Sequence, residues 1–195
     1  MLKQRFSGKV ISLSWAIPGC KLYTRETFKA IPRLYCSSRP FAPVEGSLGT
    51  EVLFWRFLDD WKECFPLRSE LRVTVSLFSD ASTRAWGAVL FRDEQKLVSR
   101  DYWPSDPSTD VNLLELRALL NALVSFKGYL SNFHVDILID NKVLKSTLDK
   151  DGCRNSAINE VVKEIYRYSL DQNFSIQTFY EPSSSSPGDG PSRKC

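Results

Sequence analysis

The sequence predicts an α/β fold: a mixed five-stranded sheet, three strands antiparallel and the rest parallel, flanked by helices and preceded by a helical N-terminal appendage. Three observations carry that reading. Apolar residues recur at helical intervals in the first part of the chain and change to period two near residue 72. Beyond the change, segments follow in the order β-β-β-α-β-α-β. Of 195 residues, 43% are hydrophobic and 25% charged, the composition of a globular protein with a packed core rather than a disordered or rod-like one.

In the appendage, Val10, Leu13, Ser14 and Ile17 mark a first helix that stops at Pro18-Gly19. Leu22, Tyr23, Phe28 and Ile31 mark a short second helix ending near Pro32. Residues 37–49 are rich in Ser, Pro and Gly and read as a linker. Thr50 stands as N-cap of a third helix carrying Val52, Leu53, Trp55, Phe57, Leu58 and Trp61, ending before Pro66. Such a segment is too small for a deep core of its own. Its tryptophans Trp15, Trp55 and Trp61 read as hydrophobic packing, with base stacking as the alternative.

After the change of period, Val73, Val75 and Leu77 alternate with Thr74, Ser76 and Phe78 in a first strand that runs out at Ser79-Asp80. Ala85–Phe91 forms a second, Asp93-Glu94-Gln95 a turn, and Leu97–Trp103 a third, giving an antiparallel meander. Val111–Leu130 reads as one long helix with a broad apolar stripe. His134–Asp140 is a fourth strand, Val143–Leu148 a short helix, Ile158–Tyr168 a longer one, and Phe174–Tyr180 a fifth strand. Right-handed crossovers place strand four parallel beside strand one, with strand five beyond. Ligands of such sheets gather at the carboxyl ends of the parallel strands, where Asp80 and Asp140 are expected side by side.

Charge and composition narrow the function. Residues 1–70 carry 11 Lys+Arg and 7 Asp+Glu, while residues 71–195 carry 15 and 16. A basic first part beside a near-neutral one fits contact with a polyanion, although uneven surface charge gives the same count. No apolar run approaches the roughly 20 residues of a bilayer span, and Met1–Ser7 lacks a signal-peptide pattern, so an intracellular protein is expected. The five cysteines form no C-x-x-C pair, and the single histidine, His134, lies at the start of an apolar strand as a structural residue. The usual zinc spacings are therefore excluded and free thiols expected. Carboxylates are left as the principal catalytic groups.

Three of them stand in costly places: Asp80 and Asp140 at the ends of apolar strands, and Glu115 inside the most apolar helix. Each has an ordinary alternative, Asp80 as a turn residue, Glu115 as a solvated helix edge, and Asp140-Asn141 as the cap of the following helix. Together they converge in the predicted topology. Acids so close repel unless cations neutralise them, and all-oxygen ligation selects Mg²⁺ or Mn²⁺. A pair of such ions about 3.5–4 Å apart is suited to displacement at phosphate.

Five blocks in order now carry a family likeness: Phe78-Ser79-Asp80-Ala81-Ser82, Trp86-Gly87-Ala88, Leu114-Glu115-Leu116-Arg117-Ala118, Ile139-Asp140-Asn141, and Ser186-Pro187-Gly188-Asp189-Gly190-Pro191-Ser192-Arg193. Residues 72–193 resemble the ribonuclease H type 1 domains of retroelement polyproteins, most nearly those of DIRS-type retrotransposons. Residues 1–70, with Gly8–Ser12, Ala16–Pro18 and Phe54–Trp61, look like a partial reverse transcriptase thumb and connection segment, leaving 71–195 as the ribonuclease H-like domain.

The resemblance implies hydrolysis of the RNA strand of RNA–DNA hybrids, with two Mg²⁺ ions held by Asp80, Glu115, Asp140 and Asp189. It implies that Asp80 bridges both ions, that Glu115 and Asp140 complete one, and that Asp189 completes the other. Ser82 and Asn141 are expected contacts to sugar or phosphate, and the RNA 2′-hydroxyl is the mark that separates RNA from DNA. It further implies that polymerase domains of the same element belong upstream. No Tyr-x-Asp-Asp motif is present, and Asp59-Asp60 reads as solvated surface. Two departures stand out: the loop Ser183–Ser186 lacks the family's histidine, and Ser-Pro-Gly precedes Asp189 in place of Asn-Pro-Ala. These departures support the rival reading, a degenerate copy serving as a hybrid-binding or structural module. A third reading, another nuclease or integrase of the same broad fold, is opposed by the position of Glu115 between strands three and four.

Overall fold

The computed structural model describes residues 2–13, 16–17, 19–36, 43–56, 74–104 and 110–182. The chain divides into two compact units, Met1–Glu70 and Leu71–Cys195. In the first, the described residues form α1 (Leu2–Ser12), a 3-10 turn (Leu22–Thr24), α2 (Arg25–Cys36) and α3 (Gly46–Phe54). Trp55 is buried, donating its indole N–H to the Tyr23 carbonyl at 2.9 Å, while Tyr23 stacks on Phe54. Glu51 of α3 is only 4% exposed. Its carboxylate accepts from Glu26 N (2.6 Å), Thr27 N (3.0 Å) and Thr27 Oγ1 (2.7 Å). Glu51 thus supplies the acceptors that the first turn of α2 lacks, at the end where the helix dipole favours an anion.

Four expectations for this unit are corrected. α1 ends at Ser12, so Leu13 and Ile17 lie past it and the helix does not run on to Pro18-Gly19. α2 runs through Pro32 to Cys36, so the proline does not end it, although it has no N–H to give to the helix ladder. The third helix begins at Gly46, not after Thr50. Gly46 has φ +56°, a left-handed conformation that glycine adopts without steric cost. Thr50 lies inside the helix and donates its hydroxyl back to the Gly46 carbonyl at 3.3 Å. The expected linker therefore ends in helix, and α3 finishes at Phe54, well before Pro66. Residues 37–42, Trp15, Phe57, Leu58, Asp59-Asp60 and Trp61 lie outside the described residues.

In the second unit the period-two segments become β1 (Thr74–Ala81), β2 (Ala85–Arg92), β3 (Gln95–Tyr102), β4 (His134–Ile139) and β5 (Ser175–Tyr180). They form one sheet in the order β3-β2-β1-β4-β5. The β1–β2 and β2–β3 pairs are antiparallel, and the β1–β4 and β4–β5 pairs parallel. This is the mixed sheet and strand order that the crossover rule predicts. Helices α4 (Val111–Ser125), α5 (Lys127–Leu130), α6 (Lys142–Asp149) and α7 (Ser156–Asp171) accompany it.

Alternation along β1 and β4 buries Val75, Leu77, Val135 and Ile137 completely, and α4 contributes Leu116, Leu119 and Leu123 at 1% exposure or less. Each such side chain contributes about 1.5–3 kcal/mol on burial, so the packing of α4 on the sheet is a substantial part of this unit's stability. The predicted Val111–Leu130 helix is broken at Phe126 (φ −95°, ψ 16°). Phe126 and Leu130 are both buried, so the apolar stripe continues across the break and periodicity does not betray it.

Asn132 and Asn173 precede β4 and β5, both with left-handed backbone (φ 67° and 53°). Asn132 N donates to Asn173 O at 2.9 Å, and Asn173 Nδ2 to Asn132 Oδ1 at 2.8 Å. Among the described residues, no helix is long and apolar enough to cross a membrane.

Candidate active site

Asp80 is the penultimate residue of β1, and Asp140 follows directly on the last residue of β4. The parallel register ends at Phe78↔Leu138, and two residues beyond each come Asp80 and Asp140. Because side chains alternate with period two, the acids continue the face that Phe78 and Leu138 share. Across the other neighbour, Asp80 pairs with Gly87 of β2.

Glu115 reaches the same place from α4. It lies on the second turn of a helix capped by Asp110, whose Oδ1 accepts from Asn112 N at 3.0 Å. Leu113, Leu114 and Leu116 beside it are buried, which draws Glu115 inward and leaves its carboxylate half-buried. Its pKa is raised from 4.5 to about 7, chiefly by desolvation. The Asn141 hydrogen bond opposes the rise, and the charges of Asp140 and Asp80 add to it. Three acids from two strand ends and one helix therefore feel one another at the carboxyl edge of the parallel strands.

Asn141 caps α6, its Oδ1 accepting from Val143 N (2.9 Å) and Leu144 N (3.2 Å). Its Nδ2 donates to Glu115 Oε2 and to Asn112 Oδ1, both at 2.9 Å. Ser82 closes the β1–β2 turn, donating to the Ala85 carbonyl and accepting from Ala85 N, both at 3.0 Å. Trp103 adds an indole N–H to the Ser82 carbonyl at 2.8 Å. Asp189 and the Ser183–Ser186 loop lie outside the described residues. His134 is held at Nδ1 by Ser175 Oγ (2.7 Å), and its Nε2 lies 3.2 Å from Gln177 Oε1, at the amino end of the strands, the end opposite the acids.

The Asp110–Asn112–Asn141 connection escaped the sequence reading. Its one local signal was Asp110-Val111-Asn112, an Asx turn opening the helix that bears Glu115.

The donor set offered by Asp80, Glu115 and Asp140 is all oxygen and like-charged, which suits a hard divalent cation and not a soft one. Among the described residues, no group of three or more His, Cys, Asp or Glu side chains is arranged as a metal-binding set; Glu115 Oε2 is engaged by the Asn141 amide.

A model of the RNase H-like domain found in reverse transcriptase matches residues 70–168. The chain belongs to this family. The match spans Asp80, Glu115 and Asp140 and ends within α7, before β5. Solved structures share the fold of this ribonuclease H type domain. LC11-RNase H1, isolated from compost and solved in complex with RNA/DNA hybrid, is 15% identical with a TM-score of 0.53, over 60% of this chain and 92% of its own. RNase H1 from Halobacterium salinarum is 16% identical with a TM-score of 0.52, over 60% and 93%. The N-terminal RNase H domain of a Mycobacterium tuberculosis protein is 15% identical with a TM-score of 0.52, over 61% and 90%. No curated protein matches the sequence.

Proposed function

We propose that this chain hydrolyses the RNA strand of RNA–DNA hybrids by a two-metal mechanism, as part of a retroelement polymerase of DIRS-like type acting inside the cell. One observation carries the reading: Glu115, desolvated and in the field of Asp80 and Asp140, at the carboxyl edge of a sheet belonging to the RNase H-like family of reverse transcriptases. Residues 1–70 are read as part of the thumb and connection of that polymerase, with its other domains upstream.

Asp80, Glu115, Asp140 and Asp189 would hold the ions, Mg²⁺ or Mn²⁺, which when bound supply activation of water and neutralise charge at the scissile phosphate. The protein's own part is positioning. β1 carries Asp80 on paired backbone, Asp140 stands directly after the last paired residue of β4, and α4 brings Glu115 across to them. Ser82 and Asn141 stand beside the acids as candidate contacts to sugar or phosphate, although both already serve a turn or a cap.

The test is cleavage of a labelled RNA–DNA hybrid in Mg²⁺ by the full chain. Cleavage should fall to background in Asp140→Asn, with the circular dichroism spectrum retained. Full activity in that variant would end the assignment. The Ser-Pro-Gly approach to Asp189 and the missing loop histidine favour a second reading, a module that binds hybrid without cutting it; retention of hybrid by an inactive wild-type chain would establish that instead.

A further inference from the structure

The Asn141 side chain is saturated. Its carbonyl oxygen accepts two backbone N–H groups of α6, and its amide nitrogen gives one hydrogen to Asn112 and one to Glu115. An amide has two hydrogens and two good acceptor directions, and all four are used. A group so fixed has one orientation, so the Glu115 carboxylate is held against a rigid donor.

The chain of contacts runs further. Asn112, which accepts from Asn141, also places its backbone N–H and its Nδ2 on Asp110 Oδ1, at 3.0 and 3.4 Å. The other oxygen, Asp110 Oδ2, meets Asn155 Nδ2 at 3.5 Å. Asp110, Asn141 and Asn155 are the N-caps of α4, α6 and α7. Three helix starts are thereby tied together, and the series ends on Glu115.

We propose that Asn141 is a positioning residue that orients Glu115 toward a cation that it would hold together with Asp80 and Asp140. Asn141 follows Asp140 directly, so the bond to Glu115 Oε2 fixes the separation of two acids that lie 25 residues apart in sequence. It engages Oε2, so Oε1 would be the oxygen offered to a cation. Capping alone does not account for an amide here: Ser and Asp cap helices equally well, but neither offers an N–H to Glu115. This inference rests on the function proposed above, and it differs from a sugar or phosphate contact by Asn141.

The discriminating variant is Asn141→Ser in the full chain, which keeps a capping oxygen and deletes the amide. Three quantities are read: Mn²⁺ affinity by titration calorimetry without nucleic acid, thermal stability, and kcat and KM for hybrid cleavage. Hydrogen-bonded partners of metal ligands typically contribute 10–100-fold in affinity. Mn²⁺ affinity should therefore fall about tenfold or more, with KM for hybrid unchanged and the melting temperature lowered by several degrees for the two lost hydrogen bonds. Asn112→Ala, which removes the acceptor that orients the amide but leaves Asn141 in place, should act in the same direction with a smaller loss, and serves if Asn141→Ser fails to fold. Unchanged Mn²⁺ affinity in both variants overturns the positioning role, as does a raised KM with affinity intact, which would make Asn141 a substrate contact. A wild-type chain that neither binds Mn²⁺ nor cleaves hybrid overturns the proposed function itself, and this inference with it.

Discussion

Replacing Glu115 by Gln should stabilise the metal-free protein above neutral pH and leave it almost unchanged in acid. The reason is linkage. In the unfolded chain Glu115 ionises near 4.5, whereas in the fold its pKa is about 7. A raised folded pKa means that its contribution is favourable below 4.5, and that stability is lost as the pH rises through 7. At one pH unit per about 1.4 kcal/mol, the full penalty above pH 7 has an upper bound of about 3 kcal/mol. The carboxylate is partly exposed, and solvent screening reduces the expected figure to about 1–2 kcal/mol. Gln is isosteric, carries no charge to desolvate, and can still accept from the Asn141 amide. For a unit of this size the gain corresponds to a rise of about 4 °C. Scanning calorimetry of the full chain in chelator, at pH 4.5 and pH 8.5, measures it. An equal gain at both pH values would show that packing, not ionisation, was altered. No gain at pH 8.5 would mean that Glu115 is not a strained carboxylate at all.

The same raised pKa predicts proton release on cation binding. At pH 6.5, calorimetric titration of Mg²⁺ in buffers of different ionisation enthalpy should report more than half a proton displaced, falling towards zero by pH 8.5; no buffer dependence at pH 6.5 would count against Glu115 as a ligand. In the other unit, Glu51→Ala leaves Glu26 N, Thr27 N and the Thr27 hydroxyl without their acceptor. A loss of about 3 kcal/mol is expected, read as faster amide hydrogen exchange at the start of α2, and unaltered exchange there would refute the capping role.

The sheet was legible because its information is local and redundant. Val75 and Leu77 alternate with Thr74, Ser76 and Phe78 on the other face, and the crossover rule then orders the strands with no distant contact to guess. Asp80 and Asp140 could be paired for the same reason, each ending a strand whose neighbour was known. The third helix was misplaced because capping preference singled out Thr50, while the actual start, Gly46, follows Glu45, which makes no side-chain cap. Glu51 was invisible because it caps a helix to which it does not belong, so no motif within α2 announces it. The sequence marks Asn141 only as a cap or a substrate contact. Its bond to Glu115 spans 26 residues, and such a relation appears only once the sheet and α4 are assembled. Periodicity finds faces, and caps find ends, but neither finds which polar tips meet.

The facing asparagines at the amino ends of β4 and β5 bear on how freely this fold can vary in length. Because Asn132 and Asn173 fasten to each other before either strand begins, residues added ahead of Asn132, or between the end of α6 and the start of α7, can bulge outward and leave the strands where they are. The eight steps from Asn132 to Asp140 have no such slack. One residue inserted there would turn Asp140 to the opposite face of the sheet, away from Asp80. Drift in this chain should therefore collect in its connections, while the distance from clamp to acid is kept by count.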